Sequence, residues 1–213
     1  EDELTLRIPG GQRYRACETT VESDYSQLGF YAALGCINHE IRCLGLRPDS
    51  RQGDRQILDI VRAMGGNVEV NEKEIIFRPA ALKGSVIDMQ NCPDLGPILM
   101  VLASFAQGET KMINAARLRY KESDRIEAME TELRKVGVQI HSTESEVWIE
   151  GPTPWQGGVT VSGHQDHRIV MALAIGATMA EGPITIEGAQ AIAKSYPGFF
   201  ADLRSLGIEI KEN

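Results

Sequence analysis

The sequence predicts a mixed α and β domain in which one supersecondary unit is used three times. Three sets of markers predict it. Three helix ends look alike: LDIVRAMGGNVEV (58–70), METELRKVGVQIH (129–141) and FADLRSLGIEI (200–210). Each is an amphipathic run that reaches a glycine and continues as a short alternating strand. The glycines, Gly65, Gly137 and Gly207, lie 72 and 70 residues apart. Asp24, Asp94 and Asp166, spaced 70 and 72 apart, each precede an apolar run: YSQLGFYAALGCI, LGPILMVLASFA and HRIVMALAIGATMA. Gly53-Asp54-Arg55 and Ser123-Asp124-Arg125 repeat the 70-residue spacing. Self-similarity at a fixed period marks a repeated unit.

Taken in order, residues 1–21, with Pro9, Gly10 and Gly11, read as an opening segment or hinge. The repeats then span about 22–80, 81–150 and 151–213. Each reads strand, helix, strand, helix, and a hairpin of strands. The first helix of units two and three is apolar on nearly all sides, which predicts burial. The second helix is amphipathic and ends at a glycine suited to a left-handed C-cap. Such units pack around a shared core of helices with sheets outside. The third unit ends in a single closing strand, IEI (208–210), so its hairpin partner is expected from LTLRI (4–8) or from a missing segment. The first residue is Glu1 rather than Met, and the chain reads as a piece of something longer.

Composition narrows the function classes. The 213 residues are 42% hydrophobic and 24% charged, as in a soluble globular protein. A net charge of -8 leaves no basic excess to displace counterions, which argues against nucleic acid as a partner. No apolar run approaches the roughly 18 residues of a membrane span, and no signal peptide opens the chain; a cytoplasmic location is expected. Cys17, Cys36, Cys43 and Cys92 form no CxxC pair and read as reduced thiols. His164 and His167 are three apart without a third Cys or His nearby in sequence, so no metal is expected. No GxGxxG or P-loop pattern is present.

The chemistry concentrates at helix starts. In LRYKESDRIEAMETELRKV (118–136), Ile126, Met129, Leu133 and Val136 form one apolar stripe, with Lys121, Glu122 and Arg125 in the turn ahead of it. A helix N-terminus disfavours cations, and Lys121, Arg125 and Arg168 all stand at one. A ligand carrying phosphate or carboxylate would resolve the conflict through helix N–H groups and bidentate arginine forks. Glu122, one turn before Ile126, is expected to lie along the buried stripe. Asp94 and Glu122 are the candidate acid/base carboxylates, although helix capping accounts for Asp94 equally well. His167 reads as a structural hydrogen-bonder. The residues alone predict an anion-binding cleft and leave the reaction open.

The strings NCPDLGPILMVLASFAQGET, RLRYKESDRIEAMETELRKVGV, DHRIVMALAIGA and AKSYPGFF resemble, in order and from about Glu22 onward, the C-terminal half of the 5-enolpyruvylshikimate-3-phosphate synthase family. The resemblance implies an inside-out α/β barrel (alpha-beta prism) of three βαβαββ repeats. It also implies an N-terminal domain of the same enzyme as partner, a full-length monomer, and an active site between the domains. The implied reaction transfers the enolpyruvyl group of phosphoenolpyruvate to the 5-hydroxyl of shikimate 3-phosphate without metal or organic cofactor. That step belongs to the shikimate pathway toward chorismate and is the glyphosate target. Carried over by position, Asp94 is the base on the 5-hydroxyl and contacts shikimate 3-phosphate, which Lys121 also holds. Glu122 is the proton-transfer partner at the methylene carbon, and Arg125, Arg168 and Lys194 clamp phosphoenolpyruvate. The chain departs from the pattern at Arg117, where some members carry Asn. Because the first domain is missing, the chain alone is expected to be inactive. The alternatives are a UDP-N-acetylglucosamine enolpyruvyl transferase and a non-catalytic anion-binding domain.

Overall fold

Three apolar helices carry the core: α1 (Tyr25–Ile37), α3 (Gly96–Ser104) and α5 (His167–Ala177) pack against one another in all three pairings. In the computed structural model, which describes residues 5–212, every residue of α3 is buried. The amphipathic α2 (Ile57–Ala63) and α4 (Arg125–Lys135) lie beside them. The α4 stripe of Ile126, Met129 and Leu133, continued by Val136, is fully buried, as its spacing predicts. The last helix, α6 (Phe199–Ser205), buries Phe199 and Leu203.

Strands flank the helices in three separate sheets. In the first, β1 (Ile41–Leu44), β3 (Glu74–Arg78) and β2 (Asn67–Val70) pair antiparallel in the order β1-β3-β2, with Ile41 opposite Phe77. The second has the order β4-β5-β7-β6, from β4 (Val86–Asp88), β5 (Gly108–Ile113), β7 (Val147–Gly151) and β6 (Gln139–Ser142). Here β4 runs parallel to β5 and the other pairs are antiparallel. The third joins β8 (Val159–Ser162) and β9 (Ile184–Glu187) in parallel. The result is a mixed α/β fold.

The second stretch of chain thus carries the whole predicted order of strand, helix, strand, helix, hairpin. Gly65, Gly137 and Gly207 stand just beyond α2, α4 and α6 with φ of 82°, 98° and 89°, where an L side chain would be strained.

Two sequence expectations do not hold among the described residues. The tripeptide 208–210 forms no ladder, and 5–8 form no strand that could pair with it; Leu4 lies outside the described residues. Leu6 and Ile8 are exposed, whereas Ile208 and Ile210 pack on the core and spend backbone groups on α6: the Ile208 N–H donates to the Leu203 carbonyl at 3.1 Å, and the Ile210 carbonyl accepts from Arg204 Nε at 3.4 Å. The first unit likewise shows no opening strand beside β1.

One close approach sets the spacing of α5. A Cβ at Gly176 would lie 2.1 Å from Cη2 of Trp155, whose ring is fully buried. That ring is stacked on Phe105 at 5.5 Å and donates its Nε1–H to Ser104 Oγ at 3.0 Å, so it cannot swing away. Gly176→Ala is expected to cost about 1–3 kcal/mol through overpacking. Thermal melting checks this, and an alanine variant as stable as the parent would show that the ring has room to shift.

Candidate active site

The starts of α1, α3, α4 and α5 meet at one end of the helix core, and the predicted residues meet there with them. Of the three equivalent aspartates, two cap their helices. Asp24 accepts the Ser26 N–H at 2.8 Å, and Asp166 accepts the Arg168 N–H at 2.9 Å. Asp94 does not. Pro93 opens a 3-10 turn, Pro93–Leu95, so α3 begins only at Gly96, after Leu95, and no side chain caps it. The capping account of Asp94 therefore fails, and its carboxylate is turned to cations. Oδ1 takes Lys121 Nζ at 3.0 Å and Arg125 Nη1 at 2.9 Å, and Oδ2 lies 3.7 Å from Arg168 Nη2. Burial works to raise the Asp94 carboxyl, but Arg168, Lys121 and Arg125 together outweigh it and hold it below the ordinary carboxylate range.

Arg125 is the hub. Its side chain is only 1% exposed, and it donates to three carboxylates. Nε and Nη2 reach Asp166 at 2.8 and 3.3 Å, Nη1 reaches Asp94, and Nη2 reaches Glu122 Oε2 at 2.6 Å. The planar fork suits this pattern, and so much buried charge is tolerated only because each member is paired. Burial acts to lower the pKa of Arg125, yet Asp166, Glu122 and Asp94 reverse the balance and raise it. Asp166 is depressed in turn, since Arg125, the Arg168 N–H and Ser123 outweigh its burial.

The turn carrying Lys121 and Glu122 differs from the sequence reading. Asp124 accepts the Glu127 N–H at 3.0 Å, so α4 starts at Arg125 and residues 121–123 precede it. Glu122 consequently leaves the helical stripe, and its side chain is 38% exposed rather than buried. Ser123 Oγ donates to Asp166 Oδ2 at 3.1 Å and ties this turn to α5.

Arg168 is buried and bridges three helix starts, donating to Ser26 Oγ at 3.1 Å and to the Asp94 carbonyl at 3.3 Å. Lys194 joins less directly, through Nζ on the Gln165 carbonyl at 2.9 Å. Arg117 donates to the Gln90 carbonyl at 3.3 Å. Burial holds His167 below the usual histidine range, and its Nδ1 is buried without a hydrogen-bond partner. His164 lies in the turn before α5, with its ring Nε2 on Glu132 Oε1 at 2.8 Å. Among the described residues, no group of three or more His, Cys, Asp or Glu could hold a metal ion.

The sequence reading treated Asp54 only as a marker of the repeat. Its 3-10 turn, Gly53–Gln56, packs on the Asp94 turn. Glycine makes this approach possible, because a Cβ at Gly53 would meet the Asn91 carbonyl at 2.3 Å. Burial pushes the Asp54 carboxyl up to about 6, the charge of Asp94 adds to this, and Arg168 and Lys121 oppose it. The available signal was its Gln-Gly-Asp context ahead of an amphipathic helix, which composition does not separate from a surface turn. A carboxyl raised in the folded state binds more protons there than when unfolded, so stability falls as pH rises between about 4 and 6. Asp54→Asn removes that loss. It is expected to gain on the order of 1 kcal/mol at pH 7.5, after allowing for solvent screening, and little at pH 4.5. Melting at the two pH values reads it, and an equal effect at both would refute the assignment.

Comparison with known proteins gives the chain a family. The sequence model of the family described as EPSP synthase (3-phosphoshikimate 1-carboxyvinyltransferase) matches residues 1–203. The chain belongs to the EPSP synthase family. A relative from Clostridium kluyveri named 3-phosphoshikimate 1-carboxyvinyltransferase is 45% identical over 205 residues, covering 96% of this chain and 48% of that protein. One of the same name from Brachyspira hyodysenteriae is 40% identical over 211 residues, covering 98% and 50%. The solved EPSP synthase of Acinetobacter baumannii superposes with a TM-score of 0.77 at 29% identity, over 87% of this chain and 46% of that one. The enolpyruvyl transferase NikO of Streptomyces tendae shares the fold, with a TM-score of 0.75 at 20% identity over 92% and 45%. The chain spans about half the length of the curated relatives it matches.

Proposed function

We propose that this chain is the C-terminal half of an enzyme that transfers the enolpyruvyl group of phosphoenolpyruvate to the 5-hydroxyl of shikimate 3-phosphate. The observation that carries the reading is Asp94. Alone among three equivalent aspartates it is excused from capping, and Lys121, Arg125 and Arg168 surround it. A carboxylate kept ionised beside three cations is the arrangement needed where a hydroxyl loses its proton and anionic groups are bound.

In this mechanism Asp94 takes the proton of the 5-hydroxyl as its oxygen bonds to C2 of phosphoenolpyruvate, while Glu122 delivers a proton to the methylene carbon. The tetrahedral adduct then returns a proton from the new methyl group to Glu122 as the C–O bond to phosphate breaks. The phosphate leaves with the proton held by Asp94, giving the enol ether and restoring both carboxyl groups. Lys121 holds shikimate 3-phosphate, and Arg168 and Lys194 take the phosphate and carboxylate of phosphoenolpyruvate. Anions that draw Arg168 and Lys121 away from Asp94 also restore its basicity, which couples binding to proton abstraction. Arg125 touches a ligand only by exchanging one of its carboxylates for it. No step calls for a metal or an organic cofactor.

The three stretches of chain are proposed to be βαβαββ units of one inside-out α/β barrel. The units missing strands here are completed by segments of the N-terminal domain, which also closes the site. The assembled enzyme is proposed to be a cytoplasmic monomer.

The test is phosphate release by the full-length two-domain protein with phosphoenolpyruvate and either shikimate 3-phosphate or UDP-N-acetylglucosamine. Turnover with the first acceptor alone supports the reading. Turnover with the second makes it the sister transferase, and binding of phosphoenolpyruvate without turnover makes it a non-catalytic domain.

A further inference from the structure

A second charged cluster lies on α4 two turns beyond Arg125 and takes no part in the mechanism above. Glu132 is 1% exposed, yet it carries a carboxylate with three partners. Oε1 meets His164 Nε2 at 2.8 Å, and Oε2 accepts Lys135 Nζ at 2.6 Å and the Ser162 N–H at 2.9 Å. Two of these partners belong to the end of β8 and the loop that follows it. That loop is strained: His164 and Gln165 are consecutive non-glycine residues with φ of 48° and 56°. Such backbone persists only where the surroundings over-determine it.

The surroundings here can be named. The Gly163 N–H donates to the Glu187 carbonyl and the Asp166 N–H to the Gly163 carbonyl, both at 2.8 Å. The His164 N–H donates to Ser162 Oγ at 3.2 Å. The first ties the turn to the end of β9 and the other two close it upon itself; Glu132 fastens it to α4. The next residues are the ones the site depends on. The Gln165 carbonyl holds Lys194, Asp166 holds Arg125 and caps α5, and Arg168 follows one residue after His167.

We infer that Glu132 is a positioning residue: by gripping His164 and Ser162 it locks the left-handed His164-Gln165 turn, and thereby sets Asp166 against Arg125 and the Gln165 carbonyl against Lys194. The same helix is then pinned to the start of α5 at two places, through Arg125 at its first turn and through Glu132 two turns on. One pin alone leaves a hinge; two fix the orientation. Burial disfavours the charged form of Glu132, but Lys135, His164 and the Ser162 N–H outweigh it and hold the carboxyl below its ordinary value, consistent with a carboxylate kept for this contact.

The consequence for catalysis rests on the enolpyruvyl-transfer reading; the consequence for geometry does not, and the test has one arm for each. The geometric arm follows hydrogen exchange of the Arg125 Nε–H in this chain by 15N NMR, with the backbone amides of Leu99–Leu102 in α3 as reference. Glu132→Ala is expected to speed Arg125 Nε–H exchange at least tenfold while the α3 amides keep their protection. Glu132→Gln, which retains an acceptor for the Ser162 N–H, restores most of it. His164→Asn, whose side chain tolerates left-handed backbone but lacks the reach of the ring, is expected to fall between. Glu130→Gln, on the same helix but bonded to Ser142 and Arg134, changes nothing. Arg125 protection that survives Glu132→Ala, or falls only in step with the α3 amides, overturns the inference.

The kinetic arm uses the full-length enzyme, in which Glu132→Ala is expected to raise KM for phosphoenolpyruvate about tenfold with kcat changed less. An unchanged KM also overturns it. A parent enzyme without turnover would instead sink the reaction, and the exchange arm would still decide the positioning role.

Discussion

Arg125→Ala is expected to destabilise the chain by about 3–5 kcal/mol, lowering its melting temperature by roughly 10 °C or more at pH 7. The substitution removes the donor shared by Asp94, Glu122 and Asp166, and it leaves the fully buried Asp166 carboxylate with only Ser123 and the Arg168 N–H. Arg125→Lys is expected to recover little, because one ammonium cannot meet three carboxylates that a planar fork meets at once. The pH dependence follows from the direction of the shifts. Asp94 and Asp166 have depressed folded-state values, so the stability they contribute is present above the ordinary carboxylate pKa of about 4 and is lost as pH falls through their folded values. The gap between parent and alanine variant should therefore be full above about pH 5 and narrow in more acid solution. A melting curve that ignores the substitution, or a gap that does not change with pH, would remove Arg125 from the centre of the network.

The second large effect belongs to turnover. In the full-length protein, Asp94→Ala and Glu122→Gln are each expected to lower kcat by about 10²–10⁴-fold, the range of a lost acid or base, with the fold retained. They should differ in KM. Asp94 competes with ligand anions for Lys121 and Arg168, so its removal should leave KM for phosphoenolpyruvate unchanged or lower, even as the contact to shikimate 3-phosphate is lost. Among the described residues Glu122 bonds only Arg125, and its replacement frees one guanidinium N–H without disturbing Lys121 or Arg168. Near-normal turnover in both variants would remove the acid/base roles.

What the sequence made legible was what repeats. Helices buried on all sides, amphipathic partners and glycine stops are periodic signals, and α3, α4 and the turns at Gly65, Gly137 and Gly207 lie where those signals put them. What it hid were departures from the repeat. Asp94 shares its position with two capping aspartates, and only the 3-10 turn begun by Pro93 moves it out of that role. The Asp124 cap ends the helical phase before Glu122, so a stripe extrapolated backwards gave the wrong burial. Asp54 and Asp166 looked like a repeat marker and a cap because the partners that alter them, Asp94 and Arg125, are 40 and 41 residues away in sequence. The tripeptide 208–210 has the alternation of a strand, but alternation cannot say whether a neighbour with free backbone groups lies alongside.

The pairing within the cluster also bears on how ligands arrive. Asp94, Glu122 and Asp166, when all ionised, balance Lys121, Arg125 and Arg168 charge for charge, in a chain of net charge -8. Opposite charges a few ångströms apart cancel at a distance, so this face projects almost no positive field beyond the Debye length of roughly 8–10 Å. Its cations act on contact, after a phosphate has come close enough to displace a carboxylate. On the proposed two-domain reading, capture of anionic substrates from bulk solution, and the dependence of the association rate on ionic strength, are set by the opposing face of the cleft.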